Sequence, residues 1–472
     1  MFERRRSTAE QKELWIVAGD LPEATPDAFY RRVNRTLEDI GFAQEVWAIC
    51  TPAYAEESRA GRPGVDPVVY LKMLMVGFFE DLGSERAIAS RCADSLSIRG
   101  FLGYALTEAT PDHSTLSVIR ERLSLEQLEA IHGVLLRALR RHGLLKGRKL
   151  GIDSSVIEAN ASLRALQHRN TEENYWDYVR KLAAENGIDP QDAKAVRRFD
   201  KKRSGRKTSN EEWVNPHDPE AKVGKTKDGA TDMTYRPEHV TDLESGAIIS
   251  TQVRPGDAAD CVGVTERIMA AVGTLAQAVP EVPLERFCQE LAADEGYFAI
   301  EEITQLHECG VRPVIADPHA SKRRVDKASE EHRSALRRAS RALSSKSGKA
   351  LLRKRGEHLE RSFCHVLDHG GLRRTTLRGC EKLSKRHLVA ATTFNLSLLL
   401  RHLFGVGTPK QALAGAVSAL GWLYTAALAF IRRLIEFIAA AFALSTVPSS
   451  TPAIAITTSP AISRITNKST GC

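Results

Sequence analysis

Apolar side chains recur every three or four residues through the first 145 residues, which is the spacing of one face of an α-helix. The stretch from Val68 to Phe79 is apolar on nearly every side and predicts a buried helix. Ser84 and Asp112 each precede a helical stretch and are expected to act as N-caps. Short helices joined by tight turns are equally typical of a helix-turn-helix DNA-binding domain and of a plain helical bundle.

From Lys149 onward, predicted strands alternate with predicted helices. Residues 149–159 (KLGIDSSVIEA) follow a turn with glycine and carry branched apolar side chains, so they predict a strand. The pattern then predicts mainly helix over 163–203, a polar loop over 204–232 and a hairpin of strands over 232–241 and 247–254. After the hairpin it predicts helix over 261–278, a short apolar stretch over 286–293, helix over 296–309 and a strand over 311–316. Such alternation predicts an α/β fold, in which helices cover a sheet.

The C-terminal part has a different composition. Residues 411–431 carry no charge and are long enough to span a bilayer, but Gly415 and Gly421 interrupt them and charged residues follow within the same apolar pattern. We therefore expect a helix packed on the core rather than a membrane span. The predicted organisation is a helical N-terminal domain over 1–145, an α/β domain over 146–410 with an insertion at about 163–231, an apolar helical segment over 411–444 and a disordered Ser/Thr/Pro-rich tail over 445–472.

Charge is concentrated in one segment. The 472 residues are 42% hydrophobic and 27% charged, which is typical of a globular protein, and the net charge is +8. Residues 321–361 hold fourteen Lys or Arg and five acids, and therefore carry more than the whole excess. A solvated helical face would have the same composition. Because the run leads directly to a candidate catalytic acid, we favour contact with a DNA backbone.

Cysteine usage and the first residues indicate a reducing compartment. The eight cysteines are scattered without a Cys-x-x-Cys pair, so a zinc site is not expected. The stretch MFERRRSTAEQ lacks the apolar segment of an export signal. We expect a cytoplasmic protein.

Three acids have the context of metal ligands. Phosphoryl transfer on DNA commonly uses two divalent metals held by carboxylates, and such acids should stand in or beside apolar elements. Asp153 lies inside LGIDSSVIEA, Asp294 ends the apolar run of LAADEGYF, and Glu360 lies in RGEHLERSF after the basic segment. Each alone is weak: an Asp before Ser is often a turn or capping residue, and a lone Glu is usually a surface acid. Glu357 is close enough to compete with Glu360 for the role.

Several longer motifs carry a family resemblance. They are DPVVYLKMLMVGFFEDLGSERAIASRC (66–92), TPDHSTLSVIRERL (110–123), LGIDSSVIEANAS (150–162), HDPEAK (217–222), VRPGDAAD (253–260), AADEGYF (292–298), RGEHLERSFCHVLDHGG (355–371), LRG (377–379) and FNLSLLLRHL (394–403). With them the chain resembles bacterial insertion-sequence transposases of the ribonuclease-H-like DDE superfamily. Glu295 and Leu367 stand where that family often has lysine. Glu360 precedes Phe363 by three residues, as in the family's Glu-x-x-Phe, and is therefore preferred to Glu357.

The resemblance implies a fold and a chemistry. It implies that residues 146–410 are a catalytic domain with a ribonuclease-H-like mixed sheet flanked by helices. It also implies that the helical N-terminal domain, residues 1–145, binds DNA. Asp153, Asp294 and Glu360 would be the catalytic residues and the ligands of two Mg²⁺ ions, with Mn²⁺ as the alternative metal. Water would cut one strand, and the freed 3′-hydroxyl would then attack target DNA. The DNA-contacting residues would be Arg353, Lys354, Arg355 and Arg361.

The implied partners are the terminal inverted repeats and target DNA, bound by a homodimer, with no membrane. Asp257, Asp260 and Tyr297 are expected to be structural rather than catalytic. Two other functions stay open. A transposase-derived repressor would bind DNA without cutting it, and the unusual sequence after Leu444 resembles a frameshifted end. A metal-dependent nuclease would cut DNA without strand transfer.

Overall fold

The structure is a computed structural model that describes residues 25–55, 64–204, 209–318, 329–414, 425, 427–433 and 435–436. Seven helices make up the N-terminal part: α1 (Thr25–Asp39), α2 (Phe42–Ala55), α3 (Pro67–Phe79), α4 (Glu85–Asp94), α5 (Leu96–Leu102), α6 (His113–Arg122) and α7 (Leu125–Arg141). The helical prediction for this part of the chain is confirmed over the described residues.

Helix α3 shows why these residues form helices where they do. Asp66 caps it by accepting a hydrogen bond from the Val68 backbone N–H at 2.8 Å, and Pro67 occupies the first helical position, where no N–H is needed. Every residue of α3 is buried, as its uniformly apolar sequence predicts. Ser84 and Asp112 cap α4 and α6, which confirms both predicted N-caps.

Nine strands follow: β1 (Lys149–Ser154), β2 (Ile157–Glu158), β3 (Gln167–His168), β4 (Trp213–Val214), β5 (Lys222–Lys225), β6 (Thr231–Asp242), β7 (Ile248–Pro255), β8 (Glu290–Ala292) and β9 (Arg312–Val314). The main sheet has the order β2-β6-β1-β8-β9, and β5 and β7 also pair with β6. Strand β6 is antiparallel to β1 and β7, whereas β8 is parallel to both β1 and β9. The sheet is therefore mixed, and β3 and β4 form a separate two-stranded sheet.

The remaining helices are α8 (Tyr175–Glu185), α9 (Ala193–Lys202), α10 (Val264–Ala278), α11 (Ile300–Glu308), α12 (Glu330–Ser344), α13 (Lys346–Phe363) and α14 (Cys380–Phe404). Among them, α10 and α13 cover opposite faces of the sheet. Consecutive strand residues point to opposite faces, and in β6 His239 contacts Ser362 of α13 while Glu238 contacts Arg267 of α10. The predicted α/β class is confirmed.

Some boundaries were predicted wrongly. The polar stretch 204–232 was expected to be a loop, but it contains β4 and β5. These strands of two and four residues are too short for a pattern of their own, and they exist because β3 and β6 offer backbone partners. Residues 149–159 form two strands rather than one, and only 290–292 of the apolar stretch 286–293 are strand.

The N-terminal helices and the sheet share one core. His132 of α7 contacts the Ile248 carbonyl oxygen of β7 at 3.0 Å and the Thr392 hydroxyl of α14 at 2.9 Å. The described residues up to Leu413 form one compact unit. Much of the apolar segment 411–444, the tail 445–472 and the start of the basic segment, 321–328, lie outside the described residues.

One stretch of the described chain, Cys380–Ala414, is long and apolar enough to cross a membrane by length and composition. Its most apolar window is 61% buried inside the protein. A core helix therefore accounts for this composition.

Candidate active site

Asp153 and Asp294 meet at one edge of the sheet. Strands β1 and β8 are parallel neighbours, and Gly151 is paired in register with Ala292. Each acid stands two residues beyond its member of that pair. Adjacent strands lie about 4.8 Å apart, so the two carboxylates are neighbours at the carboxyl ends of their strands. Their proximity is also visible electrostatically, because Asp294 contributes to the raised pKa of Asp153.

The side chain of Asp153 is half-buried, with 21% of it exposed. One carboxylate oxygen, Oδ1, accepts a hydrogen bond from the Ser154 backbone N–H, and the other, Oδ2, accepts one from Arg355 Nη1, each at 2.9 Å. Burial raises the pKa of Asp153 to about 6; the Arg355 guanidinium opposes this shift, and the Asp294 carboxylate adds to it. The surroundings of Asp153 therefore compensate its negative charge only in part.

Asp294 follows β8 and caps a single 3₁₀ turn, Glu295–Tyr297. Its Oδ1 accepts a hydrogen bond from the Gly296 backbone N–H at 3.0 Å. No ion pair links Asp294 to any residue in the described part of the chain. Its charge is thus available to a ligand.

Glu360 lies in the last turn of α13 and is exposed. The neighbouring Leu359 faces the sheet, because its Cδ1 is 3.2 Å from the position that a Cβ on Gly151 would take. Successive helical residues are rotated by about 100°, so Glu360 flanks the packed face while Glu357 points away from it. Glu357 forms an ion pair with Arg361 at 2.9 Å.

The three predicted ligands are not all assembled. Among the described residues, no group of three or more His, Cys, Asp or Glu side chains is arranged to hold a metal ion. The structure brings Asp153 and Asp294 together, and it does not join Glu360 to them.

The predicted DNA-contacting cations divide into two kinds. Arg353 and Lys354 are exposed on α13. Arg355 was expected to hold phosphates, but its side chain turns inward, is only 18% exposed and pairs with Asp153. Arg361, 43% exposed, is engaged with Glu357. The inward turn follows from helix geometry, since Arg355 precedes the sheet-facing Leu359 by one turn.

A buried network beside the acids was missed by the sequence analysis. Asp260 accepts hydrogen bonds from Ser154 Oγ at 2.9 Å, Arg254 Nη2 at 2.8 Å and Arg236 Nη2 at 2.7 Å. Glu238 accepts from the same Arg254 at 3.0 Å. Arg254 in VRPG and Arg236 in TYRP are visible in the sequence as isolated cations. Only the sheet register shows that they converge on one acid. Asp260 was expected to be structural, and these contacts give it that role.

Tyr297 and Asp257 were also expected to be structural. Tyr297 is buried and donates a hydrogen bond to Glu238 Oε2 at 2.9 Å. This bond ties the 3₁₀ turn after Asp294 to β6. Asp257 is exposed.

A histidine pair fixes the end of α13. His239 lies opposite Asp153 in the β1–β6 register, and its Nδ1 is 2.9 Å from Ser362 Oγ. Its Nε2 is 2.9 Å from Nε2 of His387 in α14. Burial lowers the pKa of His387 to about 3 and lowers that of His239 well below its ordinary value, so both rings are neutral and one donates to the other. The turn that carries Glu360 is thereby held against the sheet.

Two family models of transposases match parts of the chain. A family model described as Transposase domain (DUF772) matches residues 21–122, which cover α1 to α6. One described as Transposase DDE domain matches residues 288–400, which include Asp294 and Glu360. No curated protein matches the chain. No solved structure matches it either. The two family matches support an insertion-sequence transposase of the DDE type.

Proposed function

We propose that this protein cuts the ends of its own insertion sequence and joins them to target DNA, with Asp153, Asp294 and Glu360 as the metal-binding catalytic residues. The observation that carries the proposal is the meeting of Asp153 and Asp294 at the carboxyl ends of β1 and β8. Acids converging from separate strands on one sheet edge suit metal-dependent phosphoryl transfer.

We further infer a ribonuclease-H-like fold for the catalytic domain. The path β7-β6-β1-β8-β9 has an antiparallel hairpin on one side of β1 and two parallel strands on the other. Helices α10 and α13 lie on opposite faces of this sheet. Both features support that fold.

The residues present fit a divalent metal. Mg²⁺ takes oxygen ligands and keeps several waters, so two or three carboxylates are sufficient. Asp153 has a pKa raised by burial and by Asp294, and a cation would relieve both effects. When bound, Mg²⁺ or Mn²⁺ would activate the attacking water or 3′-hydroxyl and stabilise the leaving oxygen.

The chain's own residues would position this chemistry. The Ser154 N–H and Arg355 each hold one oxygen of Asp153, which fixes the orientation of its carboxylate. Glu360 would supply the third carboxylate from α13 by a side-chain rotation, because it already flanks the packed face. The exposed Arg353 and Lys354 would hold DNA phosphates.

The test is cleavage and joining of a plasmid that carries the inverted repeats flanking the gene. We expect Asp153→Asn, Asp294→Asn and Glu360→Gln each to abolish cleavage in Mg²⁺ and Mn²⁺ while repeat binding persists, because metal ligands act as a unit on the chemical step. Glu357→Gln, three residues away on the same helix, is the matched control and should cut normally.

Each other result points to a specific alternative. Inactivity of Glu357→Gln together with normal cutting by Glu360→Gln would make Glu357 the third acid. Nicked products without joined products would favour a nuclease. Repeat binding without any cleavage by the unmutated chain would favour a repressor.

A further inference from the structure

The insertion between β2 and β5 is attached at the edge of the sheet that carries Asp153. The chain leaves the sheet at β2, which pairs with Thr234 and Tyr235 of β6, and returns at β5, which pairs with Thr231–Thr234. This half of β6 extends beyond Ser154, the last residue of β1. Both ends of the insertion therefore attach on the side of the candidate active site.

The insertion has a small core of its own. Trp213 of β4 packs against Tyr175 and Tyr178 of α8, with ring centroids 5.2 and 5.5 Å apart. Helix α9 joins this core through Asp200, which is buried and accepts a hydrogen bond from the Tyr175 hydroxyl at 2.9 Å. This contact determines which face of α9 is buried and which face is exposed to solvent.

The outward face of α9 is entirely cationic. Its five exposed cations follow the spacing i, i+3, i+4, i+7, i+8, which places them on one side of a helix: Lys194, Arg197, Arg198, Lys201 and Lys202. They extend over about 12 Å at the rise of an α-helix. The one acid within α9, Asp200, is on the buried side, where it pairs with Arg203 at 2.8 Å.

The positive charge of this face is not offset by ion pairs within the described part of the chain. None of the five cations forms an ion pair with any residue that the structure describes. Like charges three and four residues apart repel one another, so the helix is destabilised by its own surface. The two exposed cations of α8 contrast with them, because Arg180 pairs with Asp177, and Lys181 with Glu173 at 2.7 Å.

We propose that the outward face of α9 is a second DNA-contacting surface, which binds phosphates independently of base sequence. Over 12 Å a duplex presents about seven phosphate charges, which is enough to neutralise five cations. Because the insertion attaches at the active-site edge, DNA held by the catalytic domain would pass near this surface. The inference rests on the proposed function, and it assigns to the insertion a part of the DNA that α13 does not contact.

The test measures binding of the full chain to a duplex of arbitrary sequence at several salt concentrations. Arg197→Gln/Arg198→Gln should flatten the slope of log affinity against log salt by up to about 1.8, since each lost phosphate contact removes about 0.9. Between 50 and 200 mM salt the unmutated chain should then lose roughly tenfold more affinity than the variant. Arg180→Gln/Lys181→Gln is the matched control: it removes two cations from the same insertion and should keep the original slope.

Two further variants separate charge from structure. Arg197→Lys/Arg198→Lys keeps the charge and should keep the slope. Lys194→Gln/Lys202→Gln removes charge at the two ends of the same face and should flatten the slope as the first variant does, even if that variant folds poorly. Circular dichroism and thermal unfolding verify that each protein is folded.

The inference is overturned if both charge-removing variants bind with the slope of the unmutated chain. It is also overturned if they bind duplex normally but lose binding to polyglutamate, which would indicate an acidic protein partner. Failure of the proposed function looks different: the chain would bind DNA with the α9-dependent slope and cut nothing.

Discussion

Replacing Asp153 with asparagine should make the protein more stable while it abolishes cleavage. The side chain is 21% exposed and stands beside Asp294, and its pKa is raised to about 6 from an ordinary value of 3.8. Above pH 6 the folded chain therefore holds a carboxylate that its surroundings disfavour. Asparagine has the same shape without the charge, and its one oxygen can accept a hydrogen bond from either Arg355 or the Ser154 N–H.

The size and the sign follow from proton linkage. One pKa unit corresponds to about 1.4 kcal/mol, so a shift of roughly two units destabilises the folded state on the order of 3 kcal/mol at pH 7. Between pH 3.8 and 6 the folded state binds the proton that the unfolded state has released, so stability falls as the pH rises through this window. Asp153→Asn should therefore be more stable than the unmutated chain above pH 6, and the difference should vanish below pH 3.8.

Urea unfolding at pH 7.5 in EDTA, repeated at lower pH, measures this difference. Asp257→Asn is the control, because Asp257 is an exposed acid of the same region, and a change there should stay within about 0.5 kcal/mol. Added Mg²⁺ should stabilise the unmutated chain and not Asp153→Asn, since a ligand that binds only the folded state raises its stability.

The reasoning is refuted if Asp153→Asn is no more stable than the unmutated chain at pH 7.5. A difference that grows as the pH falls would also refute it, because it would show that the Arg355 pairing outweighs burial.

Two further predictions concern the scaffold. Glu302→Ala should destabilise the protein by about 1–3 kcal/mol in urea unfolding, because its carboxylate accepts hydrogen bonds from two backbone N–H groups and a hydroxyl at the start of α10; the exposed neighbour Glu301→Ala should have little effect. Gly83→Ala should lower the melting temperature through a clash equivalent to about 1–3 kcal/mol, because the new Cβ would lie 2.5 Å from the Gly371 carbonyl oxygen. A Cβ on Gly100 would meet nothing within 4 Å, so a melting temperature lowered equally by Gly100→Ala would contradict the clash.

Local pattern was sufficient to predict the helices of the N-terminal part. The apolar run of α3 and the caps at Ser84 and Asp112 need only neighbours in sequence, and the structure confirms them. Asp153 stands in β1 and Asp294 just after β8, and each alone was weak evidence for a site. Their meeting depends on the parallel pairing of β1 with β8, which the sequence pattern did not predict.

Features that depend on tertiary pairing could not be predicted in this way. Strands β4 and β5 are set by their partners rather than by their own residues. The direction of Arg355 depends on which face of α13 meets the sheet, and the basic composition around it gives no indication of that face. The same holds for the pair of His239 and His387, which lie 148 residues apart in sequence.

The acids around the sheet edge differ in how fully cations compensate them, and this difference distinguishes scaffold from candidate ligand. Glu238 contacts two arginines, Arg254 and Arg267, and Asp260 also contacts two. The arginines already compensate these acids, so they have less to offer a metal, although burial also raises the pKa of Glu238. Asp153 has one arginine partner and a raised pKa, and Asp294 has no ion-pair partner among the described residues. A site that retains uncompensated charge at the expense of stability is expected where a ligand supplies the missing cation, and this criterion supports the proposal that Asp153 and Asp294 bind the metal.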